Sequence, residues 1–158
     1  MDEQAKKTAL RMIPYGLYVL GTSSGERMNA AAVNWLTQTS FKPPLVALGL
    51  KADSEALQLA KDSGCLALSF LEAGQKDIAF AFFKPTDVQG NTINGFRFET
   101  HETGAPILLD APAWFEARVR DTVDGGDHSV VIAEVIAAGV RRESRVLTLE
   151  ECGVSYGG

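Results

Sequence analysis

Residues 28–50 read MNAAAVNWLTQTSFKPPLVALGL, and the rest of the chain is best interpreted outward from this stretch. It begins with small residues and continues as a predicted strand that carries amide and hydroxyl side chains. Pro43-Pro44 then marks a stiff corner, because proline cannot sit inside a central strand. Residues 45–50 form a second, continuously apolar strand. Small residues let a flat ligand lie close to the backbone, and the polar side chains can bind its polar edge.

The two faces of the predicted strand 28–40 follow from the alternation of side chains along a strand. One face carries Asn29, Ala31, Val33, Trp35, Thr37 and Thr39. The other face carries Ala30, Ala32, Asn34, Leu36, Gln38 and Ser40. Neither face is cleanly polar. We therefore expect both faces to be covered, one by the protein core and the other by a partner of mixed chemistry.

Length and composition predict one globular domain that spans residues 1–158. The formal net charge of −5 argues against a nucleic-acid partner, because phosphate binding needs a basic surface. The N-terminal residues lack the apolar segment of a signal peptide, and no apolar run reaches membrane-spanning length. These features predict a cytoplasmic protein without a membrane partner. Cys65 and Cys152 lie too far apart for a redox motif or a zinc site.

The remaining pattern predicts hairpins interrupted by a few short helices. Predicted strands cover residues 16–22, 28–40, 45–50, 66–71, 96–98, 113–121 and 129–140. Predicted helices cover residues 2–12, 53–64 and 74–83. Residues 86–104 are rich in Gly and Asn and are interpreted as a long loop around the 96–98 strand. Because strands do not alternate strictly with helices, we expect a mainly β fold, an antiparallel barrel with two or three short helices.

Recognised catalytic motifs are absent from the sequence, which has no GxGxxG, Walker or GxSxG segment. His101 lies between Glu99 and Glu102, but this spacing is typical of a solvated loop, and no metal site is predicted. His128 directly follows Gly126-Asp127 at the start of a strand. It is either a structural histidine or a group that titrates near neutrality and contacts a ligand.

Several segments in the same order resemble the flavin-reductase-like FMN-binding domains, which have a split-barrel fold. The resembling segments are residues 15–20, 29–40, 43–46, 54–71, 114–117 and 126–140. This resemblance covers most of the chain. It implies an antiparallel split β-barrel that forms a homodimer and binds FMN, or FAD in some members, without a covalent bond. It also implies that NADH or NADPH is a transient co-substrate that gives a hydride to the flavin.

The resemblance also assigns site residues by position. The implied cofactor-binding residues are Asn29, Ala31, Ala32, Val33, Asn34, Trp35, Thr37, Ser40, Lys51 and Ser54. Residues 31–35 would lie along the isoalloxazine ring, and Lys51 and Ser54 would hold the phosphate. A helix start suits an anion independently, because its free amides and its dipole both favour negative charge. His128 is the implied catalytic residue, near the flavin or the nicotinamide.

Two departures from the family pattern bear on flavin affinity. Ala32 stands where many members carry threonine, and Ala56 stands where many carry a second hydroxyl. Structural interpretations also stay open for individual residues. Trp35 and Trp114 suit a core or a dimer contact, and Tyr156 either folds over a ligand or frays with the C-terminus.

Three functions follow as alternatives. The first is an NAD(P)H:flavin oxidoreductase that supplies reduced flavin to a monooxygenase or another redox protein. The second is an electron carrier that keeps FMN bound and exchanges electrons with a partner protein. The third is a split-barrel protein that has lost flavin, which the two alanine departures keep open.

Overall fold

The structure, a computed structural model that describes residues 1–158, contains eleven strands and four helices. The strands are β1 (Tyr18–Ser24), β2 (Arg27–Val33), β3 (Leu36–Ser40), β4 (Leu45–Lys51), β5 (Cys65–Phe70), β6 (Val88–Gln89), β7 (Thr92–Ile93), β8 (Phe96–Glu99), β9 (Ile107–Leu108), β10 (Ala113–Asp124) and β11 (His128–Val140). The helices are α1 (Glu3–Arg11), α2 (Glu55–Ser63), α3 (Lys76–Ala81) and α4 (Leu149–Cys152). None of these helices is long and apolar enough to span a membrane.

A seven-stranded antiparallel sheet in the order β2-β1-β5-β10-β11-β4-β3 forms the body of the molecule. The β10–β11 hairpin lies near its centre, and two register shifts in β10, after Glu116 and after Val119, interrupt the ladder. Bulges of this kind bend and twist a sheet. The sheet therefore curls into an open, split barrel, which confirms the predicted mainly β antiparallel fold.

The interpretation of residues 28–40 as one strand is wrong. The chain leaves the sheet at Asn34-Trp35, so β2 and β3 lie at opposite edges of the seven-stranded sheet. The crossing is fixed by Gly49, whose backbone N–H donates to the carbonyl of Trp35 at 2.9 Å. A Cβ at Gly49 would lie 2.9 Å from the Trp35 ring, so only glycine admits this contact. The predicted alternation of faces therefore ends at Val33.

Helix α2 confirms its predicted boundaries. The Ser54 hydroxyl accepts a hydrogen bond from the Leu57 N–H at 3.2 Å, and Gly64 ends the helix with a φ of 72°. Four apolar residues of the helix are buried, namely Ala56, Leu57, Leu59 and Ala60. The helix packs mainly on β1 and β2, and this places its N-terminus beside the small residues of β2.

Residues 86–104 are more ordered than the long loop that the sequence predicts. Strands β6 to β9 form a second antiparallel sheet, and Asn94-Gly95 makes the turn between β7 and β8 with positive φ at both residues. The segment that follows β8 covers Glu116, which accepts hydrogen bonds from the N–H groups of Glu102 and Thr103. Glu116 is fully buried, although alternation along β10 places it on the outward face with Trp114.

The core consists mainly of two clusters of twelve buried residues. One fills the barrel and includes Leu20, Leu48, Leu66, Leu68 and Val131. The other packs α3 and α4 against the outside of the sheet and includes Leu17, Leu71, Phe82, Leu108 and Leu147. Together they hold β2, β4 and the start of α2 in the fixed arrangement that creates the site described next.

Candidate ligand-binding site

A cavity of about 410 Å³ lies between β2, β4, the start of α2 and the C-terminal tail. Its volume lies within the range of small-molecule sites in proteins. Ala31 and Ala32 supply a wall of small side chains, and Gly49 adds a position without a side chain. Phe83 and Tyr156 contribute aromatic rings. The cavity is therefore mostly apolar, has a wall of small residues, and is lined by only a few polar groups.

Seven of the predicted site residues line this one cavity. They are Ala31, Ala32, Val33, Asn34, Lys51, Ser54 and His128. They come together because β4 pairs with β11, so that Lys51 lies opposite His128, while α2 packs on β2. Their roles as flavin contacts remain predictions, but the structure places them around a common space. Ala56, the second departure from the family pattern, also lines the cavity.

The other predicted site residues lie outside this lining. Asn29 donates from Nδ2 to Glu55 at 3.5 Å, and Trp35 packs behind His128 with ring centroids 4.6 Å apart. The Thr37 hydroxyl donates to the carbonyl of Gln38, and Ser40 lies at the far end of β3. The chain leaves β2 after Asn34 and continues as β3 at the opposite edge of the sheet. Thr37 and Ser40 are therefore separated from the cavity.

Asn34 is the clearest polar feature of the cavity. The residue is 8% exposed, and its side-chain Nδ2 has no hydrogen-bond partner within the protein. The indole Nε1 of the neighbouring Trp35 is likewise buried without a partner. Unpaired buried donors are rare in folded proteins, because each forfeits its hydrogen bonds to water. A ligand with an acceptor atom at its edge would satisfy the Asn34 amide.

The start of α2 gives one end of the cavity a positive character. Ser54 caps the helix and lines the cavity, where the helix dipole and the first-turn amides favour an anion. Lys51 also lines the cavity, and its Nζ lies 3.8 Å from Asp53 Oδ1 in an exposed pair. An exposed pair of this kind is weak, so Lys51 can move to an anionic ligand group.

His128, which lies opposite Lys51 in the β4–β11 ladder, takes part in a chain of hydrogen bonds. Its Nδ1 lies 2.8 Å from Asp127 Oδ1, and its Nε2 lies 2.7 Å from the hydroxyl of Tyr156. The hydrogen bond from His128 is the main reason why the pKa of the Asp127 carboxyl lies below its usual value. An ionised Asp127 accepts from Nδ1, which leaves Nε2 as the acceptor for the tyrosine hydroxyl.

Several residues of the site escaped the sequence-based assignment. Gly49 and Phe83 are among those that line the cavity, and Asp127 orients His128. Tyr156 folds onto the site rather than fraying, and thus takes the first of the two alternatives that the sequence left open. The only sequence signal for this was Gly153, a residue type that can end α4 with a positive φ and turn the tail back.

His101 belongs to a separate surface cluster. Its ring stacks on Trp114 with centroids 4.7 Å apart, and its Nε2 lies 3.1 Å from Glu99 Oε1. Glu99 also pairs with Arg141, and the pKa of this carboxyl is lowered mainly by the hydrogen bond from His101. No group of three His, Cys, Asp or Glu side chains is placed to hold a metal ion. The cluster ties β8 to the sheet.

A second recess, which we call the apolar groove, lies at one open end of the barrel. It has a volume of about 400 Å³ and is lined by Tyr18, Leu36, Thr37, Gln38, Pro44, Leu45, Val46, Phe70, Phe115 and Val135. None of these side chains carries a charge at neutral pH. Burial raises the pKa of the Tyr18 hydroxyl, which keeps this group neutral as well.

Comparison with known proteins adds three findings. Residues 10–151 match the family described as Flavin reductase like domain. The NADH-dependent flavin reductase StyB of Pseudomonas fluorescens is 32% identical over 140 residues, which cover 88% of this chain and 79% of that protein. The solved structure of the styrene monooxygenase flavin reductase from Pseudomonas putida S12 superposes with a TM-score of 0.77 at 29% identity, covering 94% of this chain and 93% of that one.

Other relatives are much longer than this chain. The diflavin flavoprotein A 1 of Synechocystis is 29% identical over 136 residues, which cover 85% of this chain but only 24% of that protein. This chain spans less than half the length of several curated relatives that it matches. The same kind of domain therefore occurs both as most of a protein and as one part of a larger one.

Proposed function

Because this chain belongs to the flavin reductase like domain family, we propose that it is an NAD(P)H:flavin oxidoreductase. The observation that carries the proposal is the buried Asn34 amide, which lines a cavity of small residues without a partner in the protein. This cavity has the wall of small side chains, the buried polar group and the anion-favouring helix start that a flavin nucleotide requires. We propose that residues 1–158 act as one domain of this type.

The residues present fit a flavin, and we propose FMN as the cofactor, with FAD as the alternative. Ala31 and Ala32 leave room for a flat ring system against β2, and Asn34 Nδ2 would donate to an acceptor at its edge. Lys51 and the α2 start at Ser54 would hold the phosphate. Flavin, when bound, supplies the hydride acceptor that side chains lack. Ala32 and Ala56 contribute no hydroxyl, so the affinity depends more heavily on Asn34.

His128 is the proposed contact to the nicotinamide, with NADH and NADPH both retained as candidates. Asp127 binds Nδ1 and so directs Nε2 toward Tyr156, whose hydroxyl a substrate amide or hydroxyl would replace. The packing of the imidazole on Trp35 fixes the plane of the ring. His128 therefore orients a substrate in this proposal, and Asp127 orients His128.

We further propose that two copies of this chain associate through the apolar groove. The groove presents barrel-interior residues without a charge among its lining, and depletion of charge is typical of the buried centre of an interface. The neighbouring turn exposes 86% of Phe41, an additional apolar anchor. A two-fold dimer would bring the same surface of both copies together. The cytoplasmic location expected from the sequence stays a prediction.

The acceptor of the reduced flavin is proposed to be a separate monooxygenase or another redox protein. The name of the solved relative from Pseudomonas putida S12 links it to a styrene monooxygenase. The electron-carrier function is the second candidate, and one observation favours it. Tyr156 engages the Nε2 of His128, which a nicotinamide would need. Loss of flavin binding is the third, and the unpaired amide of Asn34 argues against it.

The deciding experiment is an absorbance spectrum of the purified chain with FMN or FAD, followed by NADH or NADPH without oxygen. We expect bound-flavin bands that bleach with at least one nicotinamide. Bands that bleach only with dithionite would favour the electron carrier, because they show a bound flavin that does not accept the hydride. A protein that binds neither flavin would contradict the proposed cofactor site.

A further inference from the structure

The C-terminal tail, residues 153–158, lies across the cavity. Gly153 ends α4 with a φ of 69°, and the Val154 N–H donates to the Leu149 carbonyl at 3.3 Å. The chain then continues toward α1, where Arg11 Nε donates to the Gly157 carbonyl at 3.2 Å. Between these two anchors, Val154, Ser155 and Tyr156 line the same cavity as Ala31 to Asn34. The tail therefore forms a strap that is attached at both ends.

The Tyr156 ring packs against two other aromatic rings, Trp35 and His128, which also contact each other with centroids 4.6 Å apart. Its centroid lies 5.2 Å from that of Trp35 and 5.7 Å from that of His128, with edge-to-face geometry at both contacts. Its hydroxyl donates a hydrogen bond to His128 Nε2, and the Asp127 carboxylate accepts one from His128 Nδ1. Both imidazole nitrogens are thus engaged within the chain. A ligand that needs His128 must first displace Tyr156.

The Tyr156 ring is only weakly attached to the rest of the protein. Tyr156 is 46% exposed, and its attachments are one hydrogen bond and two aromatic contacts. Contacts of this kind change an equilibrium by about a factor of ten in total, so the closed tail is favoured but not locked. The position that Tyr156 takes against the Trp35–His128 pair suits any flat heteroaromatic ring, whether it comes from a nicotinamide or from a flavin.

We infer that Tyr156 is an internal occupant of a ring-binding position against the Trp35–His128 pair, and that an incoming flat heteroaromatic ring displaces it. The inference rests on the proposed function and extends it, because it makes the tail a competitor of the ligand. Tyr156 thereby sets the affinity of the site without belonging to the reacting groups. Displacement of Tyr156 would also explain how a flavin reductase can use His128, although Tyr156 covers this residue in the ligand-free chain.

The test compares wild type with Tyr156→Ala and Tyr156→Phe in calorimetric titrations with FMN alone and with NAD⁺ alone. We expect Tyr156→Ala to bind one of the two ligands about tenfold more tightly, because the ligand no longer displaces the ring. The ligand that gains affinity identifies whose ring takes the position of Tyr156. Tyr156→Phe keeps the ring but loses the hydroxyl, and its gain should be about threefold. Unchanged or weaker binding of both ligands to Tyr156→Ala would overturn the inference.

A second readout needs no ligand. The ¹⁵N NMR shift of His128 Nε2 in the free protein should change in Tyr156→Phe, because its hydrogen-bond donor is gone; an unchanged shift also contradicts the inference. Arg11→Gln should produce a smaller gain in affinity, since it releases the tail without altering the cavity lining. The matched control is Arg97→Gln, an exposed arginine without a side-chain partner, which should bind as wild type does.

The outcomes for the two proposals can be told apart. Wild type that binds flavin and oxidises NADH or NADPH, together with a Tyr156→Ala variant that gains nothing, removes only the displacement of Tyr156. Wild type that binds neither ligand removes the proposed function, and the inference falls with it. Thermal unfolding of each variant confirms that the fold is intact, which the exposure of the tail leads us to expect.

Discussion

The cavity beside α2 and the apolar groove at the barrel end have nearly the same volume, about 410 and 400 Å³, yet they suit different partners. The cavity holds an unpaired buried amide at Asn34, a histidine and a capped helix start. The groove has no charged lining residue, and none of the unpaired buried atoms belongs to it. Size and apolarity are thus shared, and the polar groups that lack a partner distinguish the proposed ligand site from the proposed interface.

The largest effect should come from a charge placed in the groove. We expect Leu36→Asp to weaken self-association by at least about 100-fold, because a carboxylate buried in an apolar interface costs several kcal/mol. Sedimentation velocity across a range of protein concentrations measures the change. Leu36 lies on the edge strand β3 and is half-buried against the core, so urea unfolding of the variant must show that the monomer is still folded.

The matched control for the groove is Val123→Asp. Val123 is 52% exposed and lies near the tip of the β10–β11 hairpin, outside the groove. The same charge at this position should leave association unchanged. A wild-type chain that stays monomeric at high concentration, or a Leu36→Asp variant that associates as wild type does, would break the contrast between groove and cavity.

The next effect concerns the amide in the cavity. We expect Asn34→Leu to weaken flavin binding by about tenfold, because the ligand loses a buried hydrogen bond. The ligand-free protein should instead gain about 1 kcal/mol of unfolding free energy, since an unpaired donor is removed from the interior. Fluorescence titration with FMN and urea unfolding measure the two quantities separately.

Thr37→Val is the companion variant. Its hydroxyl bonds to the neighbouring carbonyl of Gln38 and lies outside the cavity, so flavin affinity should change by less than about twofold. Weaker binding in Thr37→Val, with wild-type binding in Asn34→Leu, would reverse our assignment of polar contacts. It would also restore the role that family resemblance gives to Thr37.

The parts of the fold that the sequence predicts well depend on local signals. The β10–β11 hairpin follows from apolar alternation around Gly125-Gly126, and α2 follows from the Ser54 cap and the Gly64 stop. The cluster around the cavity has a different origin. Lys51, Ser54 and His128 lie far apart in the chain, and only the resemblance to a family connects them.

The parts that the sequence misses depend on distant contacts. Trp35 fits a strand by itself, and the break there arises from its packing on Gly49. The alternation of side chains along β10 predicts that Glu116 points outward. Residues 102–103 nevertheless fold over it, and their N–H groups donate to its carboxylate. The tail reaches the cavity because Tyr156 finds His128, a contact between residues 28 positions apart. Apart from Gly153, which can turn the tail back after α4, none of these contacts leaves a local pattern that could be recognised beforehand.

The smallest effect should be on the pKa of Asp127, which is the exposed end of the hydrogen-bond chain that includes His128. The pKa of Asp127 lies below its usual value mainly because of the hydrogen bond from His128, so His128→Phe should raise it toward that value. A lowered carboxyl pKa means that the contact stabilises the fold above the usual value and is lost as pH falls through the lower one. The effect on stability should be slight, because the Asp127 side chain is 97% exposed.

Asp124 serves as an internal reference for this titration. Its pKa is also lowered, but mainly by the hydrogen bond from the Ser129 hydroxyl, so His128→Phe should leave it unchanged. Carboxyl ¹³C NMR between pH 2 and pH 6 follows both residues in one sample. If Asp127 keeps its low pKa in the variant, the carboxylate does not orient His128. The cavity would still differ from the groove by its unpaired amide, its helix start and Lys51, but no longer by an oriented histidine.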